Sequence, residues 1–142
     1  MTIAAILQSR NGEVISVDPD MPVSAVVKLL AERRIGAVPV IQGGRVLGIF
    51  SERDVIYRLG AEGPATLDRK VGEVMTAPAL TVERSARILS ALALMTQRRI
   101  RHLPVVEDGA MVGFVSIGDL VKQRIDRIEA EAEAMRLYIA GN

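Results

Sequence analysis

Cysteine is absent from the 142 residues and histidine occurs once, as His102. A Cys/His zinc site, a thiol nucleophile and a disulfide are thereby excluded, and the composition is compatible with a reducing, intracellular compartment. Tryptophan is also missing, and two Tyr with two Phe make an aromatic content of 3%, too little for a platform on which single-stranded nucleic acid could stack. A net charge of +1 gives no broad field to draw nucleic acid in. Long apolar runs are lacking as well. The stretch Ile3-Ala-Ala-Ile-Leu7 is too short for a signal-peptide core or a membrane span, so the expectation is a cytoplasmic protein with neither nucleic acid nor membrane as partner. No glycine-rich phosphate loop of the G-x-x-x-x-G-K-[ST] or G-x-G-x-x-G type occurs.

What is present is a repeat. Residues 16–56 and 81–121 align without a gap, and 11 of the 41 positions are identical. A further 13 positions exchange one apolar residue for another, so the chain is an internal duplication. Arg33-Arg34-Ile35 falls on Arg98-Arg99-Ile100, Pro39-Val40 on Pro104-Val105, Gly48 on Gly113, Ser51 on Ser116 and Asp54 on Asp119. One copy is small enough to bury only a marginal core, whereas two stacked about a pseudo-two-fold axis can share one. A composition 49% hydrophobic and 25% charged suits such a core, built from Val, Ile, Leu and Ala.

Each copy reads strand, helix, strand, hairpin, strand, helix, an α/β (α+β) pattern. Val14–Val17 has β-branched strand character and Asp18-Pro19-Asp20-Met21-Pro22 ends it. Val23, Val26, Val27 and Leu30, matched by Ile88, Ala91, Leu92 and Met95, recur at the spacing of one buried helix face. Residues 37–41 and 46–50 are apolar strands joined by a Gly43-Gly44 hairpin, and Asp108-Gly109 turns the second hairpin. Residues 60–68 read as a linker. The expected division is 12–68 for the first domain, 74–125 for the second and 126–142 for a helical extension. Val121, Ile125, Ile128, Ala132, Met135 and Ile139 on that extension are spaced 4, 3, 4, 3, 4, a heptad-like seam that could dock on the protein's own core or on another chain.

Ser51-Glu-Arg-Asp54 and Ser116-Ile-Gly-Asp119 stand where a strand hands over to a helix, and two readings are open. Ser-x-x-Asp is the pattern of a capping box, serine and acid each satisfying a free backbone N–H. A helix start also suits a phosphate, and a nearby carboxylate can accept both hydrogen bonds of a ribose cis-diol, with Gly48 and Gly113 letting a ligand approach the backbone. His102 is either packed beside a core strand or a ligand group. No nucleophile motif accompanies it.

The tandem order, the segments Val38-Pro-Val-Ile41 and Leu103-Pro-Val-Val106, and the two G-x-x-S-x-x-D motifs resemble paired CBS domains, the Bateman module, in particular small stand-alone bacterial CBS-pair proteins. The resemblance covers residues 12 to 125. It implies two β-α-β-β-α subdomains around a cleft for an adenosyl ligand such as AMP, ADP, ATP, NAD or S-adenosylmethionine. By position, Asp54 and Asp119 would hold ribose hydroxyls, Ser51 and Ser116 would lie near the ribose or phosphate, and Ile35, Gly36, Ala37, Ile100, Arg101 and His102 would line the adenine or phosphate end. Arg53 is a further phosphate candidate. Because Arg101 and His102 belong to the second copy, the Asp119 site is expected to be the better phosphate binder. The resemblance also implies a homodimer and an output passed to an effector protein. The reading is a non-enzymatic regulatory module that binds an adenine nucleotide between its repeats. The rivals are a ligand-free dimerisation module and a nucleotide-processing enzyme.

Overall fold

A computed structural model describes residues 1–10 and 14–141; the domain limits expected at 12 and 142 lie outside them. Two antiparallel hairpins organise the fold. In the first copy β1 (Ala37–Gln42) pairs with β2 (Arg45–Ser51), and in the second β3 (His102–Glu107) pairs with β4 (Ala110–Ser116). The turns are made as the sequence requires. Gly43 and Gly44 have φ of 60° and 79°, and Asp108 and Gly109 have 51° and 81°, the left-handed pair that matches the twist of the flanking strands. The expected strand over residues 14–17 is reduced to a single parallel bridge, Val17 to Val40, repeated in the second copy as Val82 to Val105. Pro39 and Pro104 lack an N–H, yet their carbonyls accept from Val17 and Val82 at 3.1 and 3.0 Å, so a proline costs the strand no bond on that edge.

Helices α2 (Val23–Arg33) and α5 (Ile88–Arg98) bury the expected stripe, with Val23, Val26 and Leu30 in one core and Ile88, Ala91 and Met95 in the other. Both end on an arginine in the left-handed region, Arg34 at φ 53° and Arg99 at φ 55°. The segment expected as a linker is ordered. α3 (Glu52–Glu62) runs into a 3-10 turn over Gly63–Asp68, held by the buried Thr66, whose hydroxyl donates to the Arg58 carbonyl and the Glu62 carboxylate at 3.2 and 3.0 Å.

The two cores exchange segments. α1 (Ile3–Gln8) precedes the first copy, but Ile3 and Ile6 pack in the second core with Leu103, Val105, Val115 and Leu120. α4 (Val71–Val74) precedes the second copy, but Val71 and Val74 pack in the first with Val38, Val40 and Phe50. Each of these apolar side chains contributes roughly 1.5–3 kcal/mol by leaving water. Gly48 and Gly113 make room for them. A Cβ on Gly48 would lie 2.6 Å from the Thr76 carbonyl oxygen and one on Gly113 2.5 Å from Leu7. These glycines serve the exchanged segments, and the expected role of admitting a ligand is not theirs.

α6 (Ile117–Ala140) continues the second copy as one helix, with Leu120 its only buried residue. Its seam does not dock on the body of the same chain.

Candidate functional site

Both Ser-x-x-Asp motifs form complete capping boxes. Ser51 N donates to the Asp54 Oδ2 at 2.9 Å while Asp54 N donates to the Ser51 Oγ at 3.3 Å. The second copy repeats this between Ser116 and Asp119 at 2.7 and 3.1 Å. A box uses one carboxylate oxygen for the helix start, and what differs between the copies is who meets the carboxylate from outside.

At Asp54 the neighbour is neutral. Thr76 Oγ1 donates to Asp54 Oδ1 at 2.8 Å, and the Thr76 backbone bridges Ile49, its N–H donating to the Ile49 carbonyl at 2.9 Å. At Asp119 one arginine does both tasks. Arg10 Nη2 forms an ion pair with the Asp119 carboxylate, and Nη1 donates to the carbonyl of Phe114, the counterpart of Ile49, at 2.6 Å. Burial pushes the Asp119 carboxyl up, but the Ser116 backbone hydrogen bond and the Arg10 guanidinium together hold it below the usual range.

Asp54 opens on a cavity of about 610 Å³, a volume suited to a small molecule. Its walls come from both copies: Gly36, Ala37, Ser51, Arg53 and Asp54 from the first, Ile100, Arg101 and His102 from the second. Ile35, Ser116 and Asp119, also expected at a site, do not line it. His102 nonetheless pairs with Ser116 across the hairpin and stays within electrostatic reach of Asp119. Arg101 and His102 share their cavity with Asp54, because the residues before each Pro-Val strand face one central cleft and Asp119 is turned to Arg10.

Several lining residues carried no sequence signal of a site. Thr76, Pro78, Ala79 and Leu80 follow α4 and reach the cavity because that segment is exchanged. Ile56 and Tyr57 lie one helical turn beyond the capping box. Arg98 and Arg99 add charge at the rim. Arg53 Nη1 donates to the Arg99 carbonyl at 3.1 Å, tying the two copies together beside the opening. Four arginines and a histidine therefore face two carboxylates, Glu52 and Asp54.

His102 is both packed and lining. Its ring stacks on Phe114 at 5.5 Å between centroids and 12° between planes. Burial, helped by the Arg101 charge, pushes its pKa down against the pull of Asp119 and Glu52, which favours the neutral ring with its one donor and one acceptor. Among the described residues no cluster of His, Cys, Asp or Glu could hold a metal ion, and no helix is long and apolar enough to cross a membrane.

Two hairpin-and-helix units thus exchange segments and wall one cleft. The chain belongs to the CBS domain family, whose model matches residues 6–61 and 71–126. Among proteins it resembles, the CBS domain-containing protein CBSX3, mitochondrial, of Arabidopsis thaliana is 33% identical over 99% of this chain and 72% of its own length. A CBS-domain containing protein from Agrobacterium tumefaciens superposes with a TM-score of 0.82 at 34% identity, covering 87% of this chain and 99% of its own. The structure of CBSX2 in complex with AMP superposes with a TM-score of 0.75 at 26% identity, covering 88% of this chain and 96% of its own.

Proposed function

We propose that this chain binds an adenine nucleotide, one of AMP, ADP, ATP or NAD, in the Asp54 cavity and transmits its presence as a change in conformation or assembly. The observation that carries the reading is the meeting, in one cavity walled by both copies, of a carboxylate at a helix start with Arg53, Arg98, Arg99 and Arg101. The free lone pairs of Asp54 accept the ribose hydroxyls, Thr76 giving way, and the arginines take the phosphate in charge-assisted hydrogen bonds. That charge balance favours a phosphorylated ligand over the sulfonium cation of S-adenosylmethionine. CBSX2, solved with AMP, lends the same ligand class.

The mechanism is linkage. A nucleotide touching both copies favours the arrangement in which its two sets of contacts coexist, by no more than its differential affinity for that arrangement. The output passes to an effector protein through a homodimer of this chain. No bond of the nucleotide is broken.

Titration calorimetry on the unmodified protein tests the reading without disturbing the caps. AMP is expected to bind at least about tenfold more tightly than adenosine and than 2′-deoxy-AMP, since each analogue leaves a desolvated charged partner unpaired at a cost of about 1.5–3 kcal/mol. Equal binding of the deoxy compound would leave the aspartates as caps only, the feature that favours a ligand-free module. Absence of binding by every adenine compound would overturn the reading, and recovery of a hydrolysed nucleotide would point to an enzyme.

A further inference from the structure

The apolar seam on α6 has no part in the cavity. Val121, Ile125 and Ile128 are 42, 49 and 49% exposed, Met135 and Ile139 are 59 and 67% exposed, and Ala132 is exposed too. The seam is therefore open along its whole length in a single chain. A continuous apolar stripe of this kind marks an interaction surface.

The flanking charges say what covers it. With Ile125, Ala132 and Ile139 at heptad position a and Val121, Ile128 and Met135 at d, the e positions are Lys122, Glu129 and Arg136 and the g positions are Arg124, Glu131 and Tyr138. In a parallel pair of helices each g residue meets the e residue five places further along its neighbour. Arg124 then faces the partner's Glu129, and Glu131 faces the partner's Arg136. Both contacts join opposite charges, and two-fold symmetry makes each of them twice. An antiparallel pair aligned to cover all six seam residues sets e against e and g against g, bringing Glu129 against Glu129, Glu131 against Glu131 and Lys122 against Arg136. Sliding that pair by one heptad toward the N-terminus relieves the repulsion but leaves Met135 and Ile139 uncovered.

We propose that α6 joins two copies of this chain as a parallel, in-register coiled coil over residues 121–139, held in register by the Arg124–Glu129 and Glu131–Arg136 pairs between chains. This gives a geometry to the self-association proposed above and is independent of the nucleotide. A seam of under three heptads would be marginal as a free peptide. Here the helix is already nucleated, its first turn fixed by the Ser116 capping box and the buried Leu120. Glu131 also keeps its bond from Arg127 Nε at 2.9 Å, which orients the carboxylate for a second arginine.

The cysteine-free chain supplies its own test. In the full-length protein Met135→Cys places a lone thiol at a d position, and mild oxidation is expected to convert most of it to a disulfide-linked dimer. Glu133→Cys, off the seam, stays reduced under the same conditions. Sedimentation of the unmodified protein should show a dimer, weakened roughly tenfold by Arg124→Glu, which turns two attractions into repulsions, and restored by combining Arg124→Glu with Glu129→Arg. A dimer in which Met135→Cys fails to cross-link, or links only when Ile125→Cys is added, would overturn the parallel geometry. A monomer would overturn the self-association itself.

Discussion

Thr76 meets Asp54 at the carboxylate oxygen its capping box leaves free, whereas Arg10 meets Asp119 at the oxygen that already serves the box, and a charged donor holds its aspartate differently from a neutral one. Displacing the Thr76 hydroxyl from Asp54 exchanges one neutral hydrogen bond for those of a ribose. Displacing Arg10 from Asp119 also separates an ion pair. The side chains of that pair are 35 and 33% exposed, so water screens it and its worth is about 1 kcal/mol or less. Arg10→Ala is accordingly expected to lower the stability of the fold by about 1 kcal/mol or less and to leave nucleotide binding in the Asp54 cavity unchanged. Chemical denaturation and titration calorimetry check the two parts. A larger loss of stability would show that the ion pair is better shielded than its exposure indicates, and a changed affinity would show that Asp119 takes part in the nucleotide site. The sequence put Arg101 and His102 beside an aspartate, and that much was legible. Which aspartate was not, since Arg10 lies 109 positions from Asp119 and nothing local marks the pair.

Among the elements, the hairpins and the helices that follow them read directly from the chain. Glycine or Asp-Gly at each turn, apolar residues at helical spacing and the Ser-x-x-Asp starts are local signals with local causes. The exchanged helices were not readable in this way. α1 and α4 have 6 and 4 residues, too few to form alone, and exist because each drops two apolar side chains into a core already built by the other copy. The glycines of β2 and β4 are the record of that contact. Gly48→Ala is expected to destabilise the protein by about 1–3 kcal/mol, the usual cost of overpacking, because the new methyl group would meet the backbone carbonyl of Thr76, which is itself held in a bridge to Ile49. Gly113→Ala should cost less, since it meets the end of the flexible Leu7 side chain. Chemical denaturation of both variants measures the order, and a larger loss at Gly113 would mean that Leu7 is less free to turn than Thr76 is to shift.

For the molecule as a whole, the exchange makes each core depend on both copies. Val71 and Val74 lie past residue 68, yet the first core is open without them, and Ile3 and Ile6 would be stranded in water without the second. Scanning calorimetry of the full chain should therefore show a single transition with equal calorimetric and van't Hoff enthalpies. A fragment of residues 1–68 should show none. Two separated transitions would mean that the copies are independent and that the exchanged helices add little. The same dependence is what lets one ligand act on both copies, because a cavity walled by two interlocked units cannot be tightened on one side alone.

Sequence by itself determined the duplication, the hairpins, the buried helix faces and the spacing of the α6 seam, whereas the closing of both Ser-x-x-Asp motifs as capping boxes and the exposure of that seam in a single chain were left to the structure. Only the tertiary structure decided which core α1 and α4 complete, that residues 60–68 are ordered on Thr66, that Thr76 and Arg10 guard the two aspartates, and that the four arginines share a cavity with Asp54. All of these are contacts between segments far apart in the chain. Their energies depend on which copy's surface is within reach, and a periodic sequence that writes both copies alike carries no mark of that choice.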